Sequence, residues 1–353
     1  MIGEILSRVE MRNQGFRDVV YEWEEECARY FGVPVCKVMA QSKLPEKKTL
    51  ATKLKRVLRE CAKKILLTVP PLHRKLFDLQ RPPLTQNIDM PLSLCFVMNV
   101  PETPAFVGSS CLPIFLDIWS DWEINEVARL TRGFKLFYLT SRDAYNRMRA
   151  LHPSSNVHYM PLSIADKYHS ENFTAYRNKT IDVIQAGRRN PVLHEYMMKY
   201  AREHGDIEYV YREKGIYVST SSAKTWPTKT RSDYMGLLAA SRVSLTGCSG
   251  VDNAREDTCG ICTVTPRFYE AAVSGCALIS RYPDNEEFRE LNAARYFPNI
   301  TSYEHFTECL ERALSQTPEE LYAQNHDFIA NSLTSRRAEQ VKKDIEALTC
   351  ANS

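Results

Sequence analysis

No stretch of this chain approaches the ~20 consecutive apolar residues needed to span a bilayer as a helix. The longest apolar runs, at 92–100 and 112–119, are the length of strands. Charge of one sign is scarce too. Forty-six Lys and Arg stand against 43 Asp and Glu, a net +3, too little to imply a nucleic-acid partner. The opening residues carry no apolar core preceded by positive charge, so no secretory leader is expected. There is no internal repeat, no low-complexity tract, no G-x-G-x-x-G fingerprint and no H-x-x-x-H pair among the eight histidines. Nothing therefore supports a dinucleotide-binding fingerprint, and a metal site is not expected.

The eleven cysteines are an odd number, and Cys95, Cys248 and Cys276 sit inside apolar runs. Without a leader, that pattern predicts reduced, mostly buried thiols and a cytoplasmic protein. The N-x-T triplets at Asn172, Asn178 and Asn299 are then chance matches.

What is present is an alternation. At 353 residues the chain is long enough for two domains, and 44% apolar with 25% charged residues is ordinary for a globular protein. Short apolar runs (VPVCKVM, LSLCFVMNV, PIFLDIW, KLFYLTS, VHYMPLS) alternate with helical patterns such as DVVYEWEEECARYFG and SRDAYNRMRALHP. This predicts α/β units with parallel sheets. The polar, aperiodic segment 163–180 reads as a linker. Beyond it the alternation restarts with IDVIQAG, a helix capped by Asn190-Pro191, IEYVYRE, SDYMGLLAAS, RVSLTGC and CALIS. The C-terminus is helical: Thr317 to Glu320 has capping-box spacing, and Ala338, Val341, Ile345 and Leu348 share one face of the last helix.

Within TCGICTVTPRFYEAAVSGCALIS two sites compete. Cys259 and Cys262 have redox-dithiol spacing, but such a pair normally opens a helix that lowers the first thiol's pKa. Here the helix begins only at Thr265-Pro266, and no second pair supplies the rest of a zinc site. Two loop cysteines are the favoured reading. The second candidate is the helix start itself. Thr265 is a good N-cap and Pro266 a good first residue, so the turn presents amides to an anion. Arg267 can fork onto phosphate oxygens, and Glu270, on the same face, can accept from a vicinal diol. The blander alternative is a capped helix with a surface Arg–Glu pair. QAGRRNP is a second anion-binding turn, with Gly187 and Arg188 between a strand and a capped helix. Its alternative is a solvated basic turn.

The acceptor side is poorly marked. Asp117 and Asp121, in FLDIWSDWE, follow a strand-like run at the end where open α/β sheets place ligands, and either could deprotonate a hydroxyl. Helix capping competes as an explanation for each. His158, in a strand pattern, reads as half-buried. Residues 48–67 form a basic amphipathic pattern, which reads either as a surface helix packed on its own domain or as peripheral contact with an anionic membrane at its inner face.

The run TPRFYEAAVSGCALIS, with YMGLLAASRVSLTG before it and SYEHFTECLERAL after it, resembles the C-terminal domain of GT-B-fold glycosyltransferases, in the group-one-like branch with an R-x-F-E-A…G pattern. The resemblance extends over roughly 181–348 and reaches the N-terminal half only in architecture. It implies two Rossmann-like domains facing a cleft, 1–165 for the acceptor and 166–330 for the nucleotide sugar, with 331–353 crossing back. It implies that Thr265 and Arg267 hold the donor diphosphate, that Glu270 holds the ribose, and that Gly187 and Arg188 form the first donor loop. The implied activity is transfer from a nucleotide-diphosphate sugar to a glycan or lipid-linked hydroxyl, as in polysaccharide biosynthesis, without cofactor or metal. Many retaining members carry another Glu eight residues before the ribose-binding one, where this chain has Cys262. A catalytically silent nucleotide-sugar-binding protein and a nucleotide-sugar epimerase therefore stay open as alternatives.

Overall fold

The computed structural model describes residues 1–7, 18–37, 85–98, 100, 108–169, 176–248, 250–252 and 258–352. The basic segment 48–67 lies outside them. The first half builds a parallel six-stranded sheet from β1 (Ile2–Ser7), β2 (Val35–Lys37), β3 (Leu92–Val97), β4 (Cys111–Phe115), β5 (Phe137–Leu139) and β6 (Val157–Tyr159). Their order is β2-β1-β3-β4-β5-β6, and each neighbouring pair is parallel.

Helices cover both faces of this sheet, as buried parallel strands require. On one face α1 (Asp18–Phe31) buries Val19, Val20, Trp23 and Cys27. On the other, α2 (Asp121–Leu130) and α3 (Arg142–Leu151) bury Ile124, Val127, Ala144 and Met148. Gly32 ends α1 at φ +67°, the left-handed conformation that glycine adopts without a Cβ clash. Ser120 caps α2 in a capping box with Glu123, and Ser141 caps α3.

The second sheet comprises β7 (Ile181–Gln185), β8 (Tyr209–Glu213), β9 (Ile216–Ser219), β10 (Thr225–Trp226), β11 (Ser241–Gly247) and β12 (Ala277–Arg281), ordered β10-β9-β8-β7-β11-β12. Strands β8, β7, β11 and β12 are parallel, whereas β9 and β10 are an antiparallel extension. A two-residue turn makes that reversal, with Lys214 and Gly215 at φ +46° and +93°, the combination that suits a tight hairpin. Helix α4 (Pro191–Glu203) covers one face together with α9 (Tyr303–Ser315). Helices α5 (Arg231–Ala239), α6 (Pro266–Val273) and α10 (Pro318–Ala330) cover the other. Two short helices, α7 (Glu286–Glu290) and α8 (Ala293–Tyr296), follow β12.

The last helix, α11 (Thr334–Asn352), returns to the first sheet, where Ala338, Val341 and Ile345 join the core beside α1. The segment read as a linker is tied down at its start. Ile164 is buried and bridges Leu333, its amide donating to Ser332 O at 2.9 Å, and Trp23 Nε1 donates to Ser163 O at 3.0 Å. Apolar Ile164 and Ala165 inside an otherwise polar stretch supply the burial that holds it. A 3-10 turn, Asp166–Tyr168, follows.

Candidate functional site

In the second sheet the chain runs one way from β7, through α4 to β8, and the other way from β11, through α6 to β12. The strand order therefore reverses between β7 and β11. At such a switch point the loops beyond adjacent strand ends part and leave a crevice. The turn after β7 carries Gly187 and Arg188, and the segment after β11 leads to Thr265 and α6. Two regions some eighty residues apart in sequence meet here.

Arg267 makes the junction. Its Nη1 donates to the Arg188 carbonyl at 3.1 Å, and a Cβ on Gly187 would lie 3.0 Å from its Nε. Gly187 stands at φ +70°, and its amide donates to the Tyr217 hydroxyl of β9 at 2.8 Å. Asn190 caps α4 and donates to Asp252 Oδ2 at 2.8 Å. Arg281 Nη2 holds the same carboxylate, donating to Oδ1 at 2.6 Å. Thr265 occupies the N-cap of α6 but makes no capping bond, and its Oγ1, in a residue 7% exposed, finds no partner among the described residues. A buried, unpartnered hydroxyl at a helix start is a place for a polar ligand atom.

Glu270 is turned elsewhere. It is 4% exposed, accepts from Arg231 Nη1, and takes the Tyr234 hydroxyl at 2.8 Å. Arg231 also donates to Glu22 of α1, at 3.3 Å from Nε and 3.1 Å from Nη2. Tyr168 and Lys167 complete the Glu22 cluster, the lysine at 3.0 Å. Burial pulls the Arg231 pKa down, but Glu270 and Glu22 together outweigh it and hold it above its ordinary value. Glu22–Arg231–Glu270 is thus a buried ionic triad between the two domains. Sequence reasoning missed it because the partners are 209 residues apart. Only the helix SDYMGLLAAS is legible locally; the structure starts it as α5 with a Thr230/Asp233 capping box.

The dithiol is not built for redox work. Cys259 is exposed and Cys262 buried, both free thiols. Burial first, then nearby Asp143, pushes the Cys262 thiol up to about 11, the reverse of an activated thiolate. Instead the loop seals the two domains together. The Cys262 amide donates to Asp143 Oδ2 at 3.1 Å, and Asn285 Nδ2 bonds both Asp143, at 3.2 Å, and Cys262 O, at 3.0 Å. Ile261, 0% exposed, packs into the first domain's core with Val97, Phe115, Ile118 and Trp119.

Asp117 follows β4, half-buried, its amide bonded to Met98 O at 3.0 Å. Asp121 is the first residue of α2, exposed, and 3.4 Å from Arg147 Nη1, whose Nη2 donates to Cys259 O at 3.0 Å. Both aspartates lie beyond the strand ends of the first sheet, and Asp121 is linked through Arg147 to the Cys259 loop. His158 is exposed on β6 and pairs with Asp344 at 3.1 Å. Among the described residues no group of three or more His, Cys, Asp or Glu side chains is placed to hold a metal ion, and no helix is long and apolar enough to cross a membrane.

The sequence matches no protein-family profile and no curated protein. Solved structures do match. The N-terminal domain of the trehalose-6-phosphate phosphatase of Candida albicans aligns at TM-score 0.53 and 9% identity over 98% of this chain and 96% of that one. A UDP-forming α,α-trehalose-phosphate synthase from Burkholderia xenovorans aligns at TM-score 0.50 and 11% identity, over 98% and 99%. A chain of the GtfA/B complex gives TM-score 0.44 and 12% identity over 78% of this chain, which spans 60% of that longer one. At these identities the likeness concerns the fold. With two parallel-dominated sheets and a helix crossing back, that fold is GT-B.

Proposed function

We propose that this protein transfers a glycosyl group from a nucleotide-diphosphate sugar to a hydroxyl of a glycan or lipid-linked acceptor. The observation that carries the reading is the meeting of Arg267 with Gly187 and Arg188 at the β7/β11 switch point, beside the unpartnered Thr265 hydroxyl. Helix starts and a guanidinium are what a departing diphosphate needs, because they stabilise the charge that develops on its bridging oxygen. In this reading that electrostatic support takes the place of a metal ion. Thr265 and Arg267 bind the diphosphate, with Gly187 allowing its close approach and Arg188 beside it. Glu270 binds the ribose once its carboxylate turns from Tyr234. Asp117 or Asp121 is the base that takes the acceptor's proton.

Calorimetry with UDP-, GDP- and ADP-sugars tests this reading. One of them should bind, and Arg267→Ala should weaken that binding while leaving affinity for the bare nucleoside nearly unchanged. If no nucleotide sugar binds the folded protein, the reading fails. A silent binding protein is the second reading. It is favoured by Cys262, which stands where many retaining members have a Glu and is sealed against Asp143 and Asn285. Donor hydrolysis or transfer by protein that binds the donor rules it out.

A further inference from the structure

Beside α6, where Val264 and Tyr269 form part of the wall, the two domains and the returning helix enclose a cavity of ≈ 360 Å³. Its walls come from every part of the molecule. Tyr159 and Pro161 belong to the first domain, Tyr269, Tyr296 and Phe328 to the second, and Arg337 to α11. The aromatic wall is well ordered by packing. Tyr269 stacks on Phe328 at 5.4 Å and 8°, and Tyr296 meets the same ring at 5.2 Å.

Arg337 is the anomaly. Its Nη2 donates to the Asn331 carbonyl at 3.2 Å, and its Nε, buried, has no acceptor among the described residues. Burial lowers its pKa, opposed mainly by the polar rings of Tyr269 and Tyr159. The acids nearby are committed elsewhere. Glu290 is gripped by Arg142, at 3.1 Å from Nε and 2.6 Å from Nη2. Glu287 takes Thr263 Oγ1 at 2.8 Å, Val264 N at 3.1 Å and Arg142 N at 3.2 Å. A half-buried guanidinium at a cavity wall, with one buried N–H left without an acceptor, offers an unmet hydrogen bond that an anionic ligand can satisfy. The cavity opens beside a groove of ≈ 670 Å³ that shares Tyr159, Glu290 and Arg337 with it and adds Arg142, Arg149 and His158. Of these, Arg142 and His158 are already paired with Glu290 and Asp344, so an anion approaching along the groove meets Arg149 and Arg337.

We propose that this interdomain cavity is a second ligand site, separate from the switch-point crevice, which takes a small organic anion: one carboxylate or phosphate monoester on a ring-shaped body. The anionic group pairs with the planar guanidinium of Arg337, which matches both chemistries. The ring lies against Tyr159, Tyr269, Tyr296 and Phe328. Because both domains and α11 contribute walls, the ligand holds the domains together.

Isothermal titration of the full chain with benzoate and phenyl phosphate tests the site, with benzyl alcohol as the neutral control. At least one anion should bind, benzyl alcohol should not, and Arg337→Gln should weaken the anion roughly tenfold or more. Leu291→Trp, which fills the cavity from its wall and keeps the charge, should weaken it similarly. Failure of both anions to bind the folded wild type overturns the proposal. So does wild-type affinity in whichever of the two variants remains folded by near-UV circular dichroism. Inorganic phosphate binding as tightly as phenyl phosphate would overturn the ring-shaped ligand.

Discussion

Replacing Glu287 by glutamine should invert the pH dependence of stability between the two proteins. Glu287 is 3% exposed, and burial, aided by nearby Asp143, lifts its carboxyl from 4.5 to about 7 against the pull of its three hydrogen bonds. The folded chain therefore binds more protons here than the unfolded chain between those two values. Stability contributed by this group is complete below 4.5, falls as pH rises through 7, and is flat above. At 1.36 kcal/mol per pH unit, the ionised carboxylate costs the native state about 3 kcal/mol at pH 8. Glutamine removes that cost. It also sets its amide group against the Arg142 N–H, two donors facing each other, for a loss of about 1–2 kcal/mol at every pH. Glu287→Gln should accordingly be the less stable protein at pH 5 and the more stable one at pH 8, by about 1–2 kcal/mol each way. Urea melts of both proteins at pH 5, 6, 7 and 8 measure it. Other titrating groups are common to both proteins and cancel in the difference. If the two stability profiles run parallel from pH 5 to 8, Glu287 does not titrate there and the reasoning is wrong.

Arg231→Met should destabilise the chain by about 3–5 kcal/mol, since Glu270 would be left buried without its cation and Glu22 would keep only Lys167; adding Glu270→Gln should recover part of the loss, and additive effects in the double variant would show that the pair is not coupled. Ile261→Ala should cost about 2–5 kcal/mol in denaturant melts, because the side chain sits in the first domain's core, and a change under about 0.5 kcal/mol would mean that the contact is not packed in solution. Gly187→Ala should lower nucleotide-sugar affinity and cost about 1–2 kcal/mol of stability: alanine is strained at φ +70°, and with Arg267 Nε 3.0 Å from the new methyl the guanidinium must move. Unchanged donor affinity there would separate this turn from the site. Of Asp117→Asn and Asp121→Asn, the one that removes the acceptor's base should lower turnover ~10²–10⁴-fold while sparing donor affinity, and full activity in both clears them from the mechanism.

The sequence by itself determined the local elements, because their signals are local. Asn190-Pro191 and Thr317 each start a helix where the capping pattern places one, and Gly32 ends α1. The apolar runs became strands of parallel sheets, whose burial on both faces calls for such near-continuous hydrophobic stretches. The N-terminal start of α6 at Pro266 followed from Thr265-Pro266, and so did the poor placement of the dithiol. Three things were decided by tertiary structure. Strand β1, second in its sheet, is six residues of irregular burial, so its partners β2 and β3 define it more than its pattern does. The antiparallel β9 and β10 depend on a hairpin at Lys214-Gly215 that carries little periodicity of its own. Above all, Arg267 and Glu270, read as one face of one helix, part company in the fold: Arg267 joins Gly187 and Arg188, while Glu270 joins Arg231 and, through it, Glu22. Helical spacing fixes which side chains can share a face. Which of them meets a ligand and which meets a counter-charge depends on what the rest of the chain brings within about 4 Å, and no local pattern encodes a partner 209 residues away.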